Sequence, residues 1–116
     1  WGGHYLQEKG GKFVVSKQGK AWLKQAGLPP GYEARVHKVA EFAGVARELE
    51  ITPARLALAW VLKNSNVTTA ILGASNTNHL KENLKAIGDV SLLTNAVMGQ
   101  IESIFQTSPV PEETFR

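Results

Sequence analysis

No cysteine occurs among the 116 residues, which excludes a disulfide scaffold, a thiolate metal site and a cysteine nucleophile, and leaves the redox compartment open while mildly favouring a cytoplasmic setting. Charge of one sign is scarce. Thirteen Lys and Arg stand against 10 Asp and Glu, a net +3 with three neutral His, too small an excess to argue for a nucleic-acid partner. Long hydrophobic runs are missing too. The longest uncharged stretch, residues 64–80, is interrupted by Thr, Gly, Ser, Asn and His, so no membrane insertion is expected. The chain opens on Trp1 rather than Met, without a basic segment leading into an apolar one. The expectation is a chain with no secretory signal and a piece of a longer protein. What is present, 43% hydrophobic residues, suits one folded domain with an ordinary core.

Residues 1–33 hold seven of the eleven glycines and the Pro29-Pro30 pair, a composition that reads as irregular surface chain, with a short helical turn around residues 19–25. From residue 34 to 50 the apolar side chains Val36, Val39, Ala40, Ala43 and Ala46 recur every three or four positions, the spacing of one buried helix face. Thr52-Pro53 supplies a capping hydroxyl and a proline at the first helical position, opening a second helix over 53–63. Its run Leu56-Ala57-Leu58-Ala59-Trp60-Val61-Leu62 is apolar all round, so burial on most sides is expected. Val67-Thr68-Thr69-Ala70-Ile71-Leu72 is β-branched, short and closed by Gly73, which predicts one buried strand over 67–72. A third helix over 76–87 carries Leu80, Leu84 and Ile87 on one face, capped by Ser75 or Asn76, with Gly88 past its end. A fourth, over 94–105, carries Val97, Ile101, Ile104 and Phe105; the tail, 106–116, reads as extended.

The chemistry concentrates where the predicted strand turns into the third helix through Gly73-Ala74-Ser75-Asn76. The first-turn N–H groups of a helix lack backbone partners and carry the positive end of its dipole, so this end suits an anion, phosphate above all. In a parallel α/β fold it also lies at the carboxyl end of the strand, where such folds bind ligands. Spacing alone favours the reading in which Ser75 and Asn76 are caps and nothing more over a phosphate site. His79, Glu82 and Asn83 share one face of the same helix; Glu82 and Asn83 can accept from and donate to a planar heterocycle, and a protonated His79 would add positive charge beside a phosphate. A polar, solvated face explains the same three residues, and Lys81 and Lys85 fit that face.

Other constellations are thin. His4, His37 and His79 have no partners at metal-ligand spacing, and no nucleophile elbow, Walker loop or dinucleotide-binding glycine motif occurs; no metal is expected. The first two helices, joined through Glu48-Leu49-Glu50-Ile51-Thr52, look superficially like a helix-turn-helix. The second, however, offers only Arg55 and Lys63 at its ends with seven apolar residues between, a poor match to a DNA-reading helix.

Taken together, the stretches Leu56-Ala57-Leu58-Ala59-Trp60-Val61-Leu62-Lys63-Asn64, Val67-Thr68-Thr69-Ala70-Ile71-Leu72-Gly73-Ala74-Ser75-Asn76 and Leu80-Lys81-Glu82-Asn83-Leu84 resemble the C-terminal part of the aldo-keto reductases. The resemblance is to the branch containing the potassium-channel β-subunits and related reductases. It covers about residues 20–116, with Trp22-Leu23-Lys24 and the tail contributing; residues 1–19 match poorly apart from Gly11-Lys12-Phe13, similar to a Gly-Lys-Tyr loop of the family.

This resemblance implies a segment of an α/β (β/α)8 TIM barrel, mostly α within this chain, with 67–72 as the last strand, 76–87 as the last barrel helix and 94–105 as an added outer helix. It implies a nicotinamide cofactor, NADP(H), whose adenosine 2′-phosphate end meets Gly73 and Ser75 and whose adenine meets Glu82 and Asn83. His79 falls where the family usually has Gln or Arg, so selectivity for the phosphate would rest on Ser75, backbone N–H groups and Lys81. The family's catalytic Asp, Tyr, Lys and His come from earlier strands, and none of those motifs is in this sequence. The chain alone would therefore be inactive on the small carbonyl substrate of the whole enzyme. The alternative is a cofactor-binding regulatory module that docks on a membrane channel. Helix faces made for missing strands should leave the chain prone to self-association.

Overall fold

The computed structural model describes residues 6–9, 12–15, 17, 20–21 and 31–109. Two compact units divide the chain, Trp1–Glu41 and Phe42–Arg116. In the first, strands β1 (Leu6–Lys9) and β2 (Lys12–Val15) pair antiparallel, with Leu6 opposite Val15 and Lys9 opposite Lys12. This hairpin lies within the segment that composition marks as irregular. The two residues between the strands, Gly10 and Gly11, lie outside the described residues. Of the helical turn expected around 19–25, only Lys20 and Ala21 are described, and both are helical.

Helix α1 (Tyr32–Glu48) starts after Gly31, whose φ of 76° lies in the left-handed region open to glycine. The boundary between the two units falls inside this helix. Its far end closes with a paired motif: the Ile51 N–H donates to the Ala46 carbonyl and the Glu50 N–H to the Arg47 carbonyl, both at 3.0 Å. Glu50 adopts the left-handed conformation, φ 56°, at the position where glycine is usual. The stop is therefore made by hydrogen bonds and by Ile51 packing on the core, at some conformational cost at Glu50.

Helix α2 (Pro53–Lys63) begins as its sequence specifies, with the Thr52 hydroxyl accepting from the Arg55 N–H at 3.3 Å and Pro53 in the first turn. Helix α3 (Thr77–Asp89) leads through a short 3-10 turn (Val90–Leu92) into helix α4 (Asn95–Phe105), which is capped by the Thr94 hydroxyl. The core of the second unit joins Phe42, Val45 and Ala46 of α1, Leu56 and Ala59 of α2, Leu93 just after the 3-10 turn and Ile101 of α4. Phe42 meets Phe105 edge to face, with centroids 5.5 Å apart, an arrangement favoured by the ring quadrupoles. The α4 stripe Val97, Ile101, Ile104 and Phe105 turns inward as its spacing predicts.

Three expectations are corrected. Residues 67–72 form no strand; a strand needs a neighbour to pair its N–H and C=O groups, and the described residues provide none there. The apolar face of α3 is not its buried face: Leu80, Leu84 and Ile87 remain 45%, 53% and 65% exposed, while Ala86 and Asp89 are buried. Helix α2 is not buried on most sides either, since Ala57 and Trp60 are exposed and only Leu56 and Ala59 are fully enclosed.

The orientation of α3 has a specific cause. Arg55 reaches from α2 and donates from Nε to Asp89 Oδ2 and from Nη2 to Asp89 Oδ1, each at 2.6 Å. Asp89 is only 6% exposed, and a carboxylate withdrawn from water must be paired. The fork geometry satisfies both its oxygens. Ala86, one turn earlier on the same face, lets the two helices close. A double-mutant cycle checks this: Arg55→Ala, which strands a buried carboxylate, and Asp89→Ala each lower the urea midpoint, and the double variant loses clearly less than the sum of the two.

Candidate functional site

Asn76 is the N-cap of α3. Its backbone is extended, φ −156° and ψ 167°, and its side-chain Oδ1 accepts from the His79 N–H at 2.9 Å while its carbonyl accepts from the Leu80 N–H at 3.2 Å. Two of the first-turn donors are thus satisfied locally. The Thr77 and Asn78 N–H groups precede any possible helical acceptor and take no bond among the described residues. Of the two caps that the sequence offers, Asn76 serves, which leaves the Ser75 hydroxyl for another role. It lies 3.0 Å from His79 Nδ1, so which of the two donates depends on the imidazole tautomer.

Every residue from 71 to 81 is exposed. The start of α3 is accordingly open to solvent, and carries two N–H groups without a bond among the described residues, with the Ser75 hydroxyl and the His79 imidazole in contact beside them in sequence. Gly73, on the approach, has open space where a Cβ would stand and no positive φ; nothing in its backbone demands glycine.

Glu82 and Asn83 follow one turn later and are half-buried. Glu82 pairs with Lys85, and its carboxyl titrates below the ordinary value of 4.5, chiefly through that hydrogen bond, with the Lys85 and Arg55 charges assisting against partial burial and Asp89. Lys85, expected to lie on a merely solvated face, is thus the partner of the residue expected to meet adenine. Asn83 makes no side-chain bond among the described residues. The structure therefore brings Ser75 and His79 into contact, keeps Asn83 available one turn along, commits Glu82 to Lys85, and shows no contact that involves Gly73.

Outside this region, His37 is exposed and sits 3.5 Å from Glu41 across one helical turn. Arg55, one of the two basic residues that a DNA-reading helix would offer, is engaged by Asp89. Among the described residues no group of three His, Asp or Glu side chains is arranged to hold a metal, and no helix is long and apolar enough to cross a membrane. At the end of α4, Glu102 Oε1 accepts from the Ser108 N–H at 3.0 Å, and bonds from Ser108 hold this carboxyl below its ordinary value despite some desolvation.

The model of the Aldo/keto reductase family matches residues 4–106. The chain belongs to the aldo/keto reductase family, a family of oxidoreductases built on the barrel fold that generally uses NAD(P)H. Over 81 residues it is 38% identical to a probable voltage-gated potassium channel subunit beta from Arabidopsis thaliana, covering 70% of this chain and 25% of that protein. The identity and coverage are the same for a protein of that name from Oryza sativa subsp. japonica. A putative voltage-gated potassium channel subunit beta from Schizosaccharomyces pombe is 36% identical over 81 residues, 70% of this chain and 24% of that protein. The chain spans about a quarter of the length of these relatives. The family match begins at residue 4, well before the resemblance legible by eye at about residue 20; Lys9-Gly10-Gly11-Lys12, a hairpin signal, and Gly11-Lys12-Phe13 are the signals that reach into that region.

Two outcomes are expected. Asn76→Ala removes the cap on α3 and lowers stability by about 1 kcal/mol, within the range of about 0.5–2 for such caps, whereas Asn76→Asp preserves it; urea denaturation followed by circular dichroism reads both. Acid destabilises the fold in a defined window. Glu82 and Glu102 have folded-state pKa values lowered from 4.5, so their contributions are complete above that value and disappear as pH falls through the lowered ones. Denaturation midpoints should be flat from neutrality down to the ordinary carboxylate range and fall below it, and Glu82→Gln together with Glu102→Gln should flatten the fall.

Proposed function

We propose that this chain is the C-terminal segment of an NADP(H)-dependent aldo/keto reductase and that the start of α3 holds the adenosine 2′-phosphate end of the cofactor. The observation that carries the reading is the pairing of Ser75 with His79 at 3.0 Å beside the free first-turn N–H groups, in a chain of this family. An oxygen-rich dianion suits that set of donors: backbone N–H groups direct hydrogen bonds to it, the helix dipole favours its charge, and the hydroxyl and a suitably protonated imidazole add two more donors. Gly73 leaves the approach open. Asn83 presents both a donor and an acceptor to an adenine edge, and Glu82 can accept from the same ring once Lys85 is displaced.

When bound, the cofactor supplies a hydride for a carbonyl carbon. The part of this chain is to bind and orient the far end of that molecule, and the Asp, Tyr, Lys and His of the family's catalytic machinery are outside its sequence. Reduction of aldehydes or ketones, with cytoplasmic location, is accordingly proposed for the protein to which this segment belongs, and the 116 residues alone should be inactive.

The three relatives, each named as a potassium channel subunit beta, favour a second reading, a regulatory module of the same fold that docks on a membrane channel. Cofactor binding is common to both. Turnover of a carbonyl substrate by a chain carrying the complete barrel supports the first, and stable association with a channel domain without turnover supports the second.

Titration with NADP(H) and with 2′-phosphoadenosine, read by ¹⁵N shifts over residues 73–83 and tryptophan fluorescence, tests the site. Saturable shifts centred on Ser75 and His79, weaker for NAD(H), are expected. Loss of a hydrogen bond to a charged phosphate, as in Ser75→Ala, should weaken the 2′-phosphorylated ligand about tenfold and leave NAD(H) nearly unchanged. A well-folded chain that gives no shifts in this segment refutes the reading.

A further inference from the structure

The contact between Ser75 and His79 has a direction that protonation can reverse. Ser75 Oγ lies 3.0 Å from His79 Nδ1, and Asn76, not Ser75, caps the helix by accepting from the His79 N–H, so the Ser75 hydroxyl is not needed as the cap. The two side chains are four residues apart, one helical turn, and local geometry alone sets the contact. A neutral imidazole has one N–H and one lone pair. With its proton on Nε2, Nδ1 accepts the Ser75 O–H, and only the Nε2–H remains to be offered outward. With its proton on Nδ1, that N–H donates to Ser75 Oγ and the hydroxyl proton is released, but Nε2 then turns a lone pair outward. Either neutral tautomer therefore offers an anion one donor. The protonated ring keeps Nδ1–H on Ser75 Oγ and frees both the hydroxyl proton and the Nε2–H, which makes two donors and a positive charge.

We propose that Ser75 and His79 form a proton-gated clamp for the 2′-phosphate of the cofactor: one proton taken up by the imidazole turns the Ser75 hydroxyl toward the phosphate and sets a cation beside it, so selectivity for the 2′-phosphorylated cofactor over NAD(H) declines as pH rises through neutrality. This gating rests on the reading of the α3 start as the 2′-phosphate site. Linkage gives its sign. An imidazole changes charge between about pH 5 and 8, and a phosphate monoester loses its second proton at about pH 6. Below about pH 6 the two titrations oppose each other. Above about pH 7 the phosphate stays a dianion, and a further loss of affinity belongs to the protein. The charged residues of α3 are Lys81, Glu82, Lys85 and Asp89, those of α2, which packs against it, are Arg55 and Lys63, and the 3-10 turn has none. Glu82 pairs with Lys85 and Asp89 with Arg55, so both carboxylates of α3 are committed elsewhere than to the imidazole.

Isothermal titration calorimetry of the whole chain with 2′-phosphoadenosine and with NAD(H), at about pH 6.5, 7.5 and 8.5 and in two buffers of different ionisation enthalpy, tests it. The expected result is net proton uptake on binding the 2′-phosphate at about pH 7.5, and an affinity that falls about tenfold toward the highest pH as a charged hydrogen bond is lost. NAD(H) should show neither effect. His79→Gln, which keeps a neutral donor at an exposed position, should bind 2′-phosphoadenosine equally from about pH 7.5 to 8.5 and without proton uptake. Ser75→Ala should weaken the same ligand at the lowest pH and little at the highest, because a neutral imidazole released from the hydroxyl still offers its one donor. Asn76 remains the cap in both variants, so both should retain the helical circular dichroism. Affinity for 2′-phosphoadenosine that is flat above neutrality in the unmodified chain overturns the gating and leaves the cofactor site standing. So does a pH dependence that His79→Gln retains. No binding of 2′-phosphoadenosine at any pH overturns both.

Discussion

The Arg55–Asp89 pair settles how α2 and α3 meet, and much of the second unit follows from that contact. A carboxylate 6% exposed, with both oxygens taken by one guanidinium at 2.6 Å, admits little rotation of either helix, because turning α3 away would leave the charge buried and unpaired. The pair therefore selects the Ala86 and Asp89 side of α3 for burial over its more apolar side. Leu80, Leu84 and Ile87 are left facing outward as a consequence. The same rotation leaves Glu82 and Asn83 half-buried beside α2, and His79 beside Ser75 at the open start of the helix.

Membership in the aldo/keto reductase family gives those exposed surfaces a common origin. In a barrel, helices cover strands and strands pair on both edges. The chain spans about a quarter of its relatives' length, and no strand lies paired with residues 67–72 among the described residues. The composition of that segment is that of a strand, yet pairing is a property of two segments, and one segment by itself has no way to express it.

The candidate site follows a different logic because it is local. Asn76, His79 and Leu80 are close in sequence, and a cap requires only that a side-chain oxygen reach an N–H two or three residues on. Such contacts survive whether or not the barrel is complete. The Ser75 and His79 contact is of the same kind, one helical turn in reach. For that reason the capped start of α3 forms although no strand pairs with residues 67–72 among the described residues.

Helices were legible in the sequence wherever a local device marks them: Thr52-Pro53 opening α2, Thr94 opening α4, and the spacing of Val97, Ile101, Ile104 and Phe105. The family was legible in the run from Leu56 to Asn83, and the capped start of α3 in Gly73-Ala74-Ser75-Asn76. Tertiary structure alone decided the rest. That Asp89 is the buried charge depends on where α2 lies. Periodicity identified the apolar side of α3 correctly but not its burial, because amphipathicity states which face prefers shelter, whereas an ion pair from another helix determined which face received it.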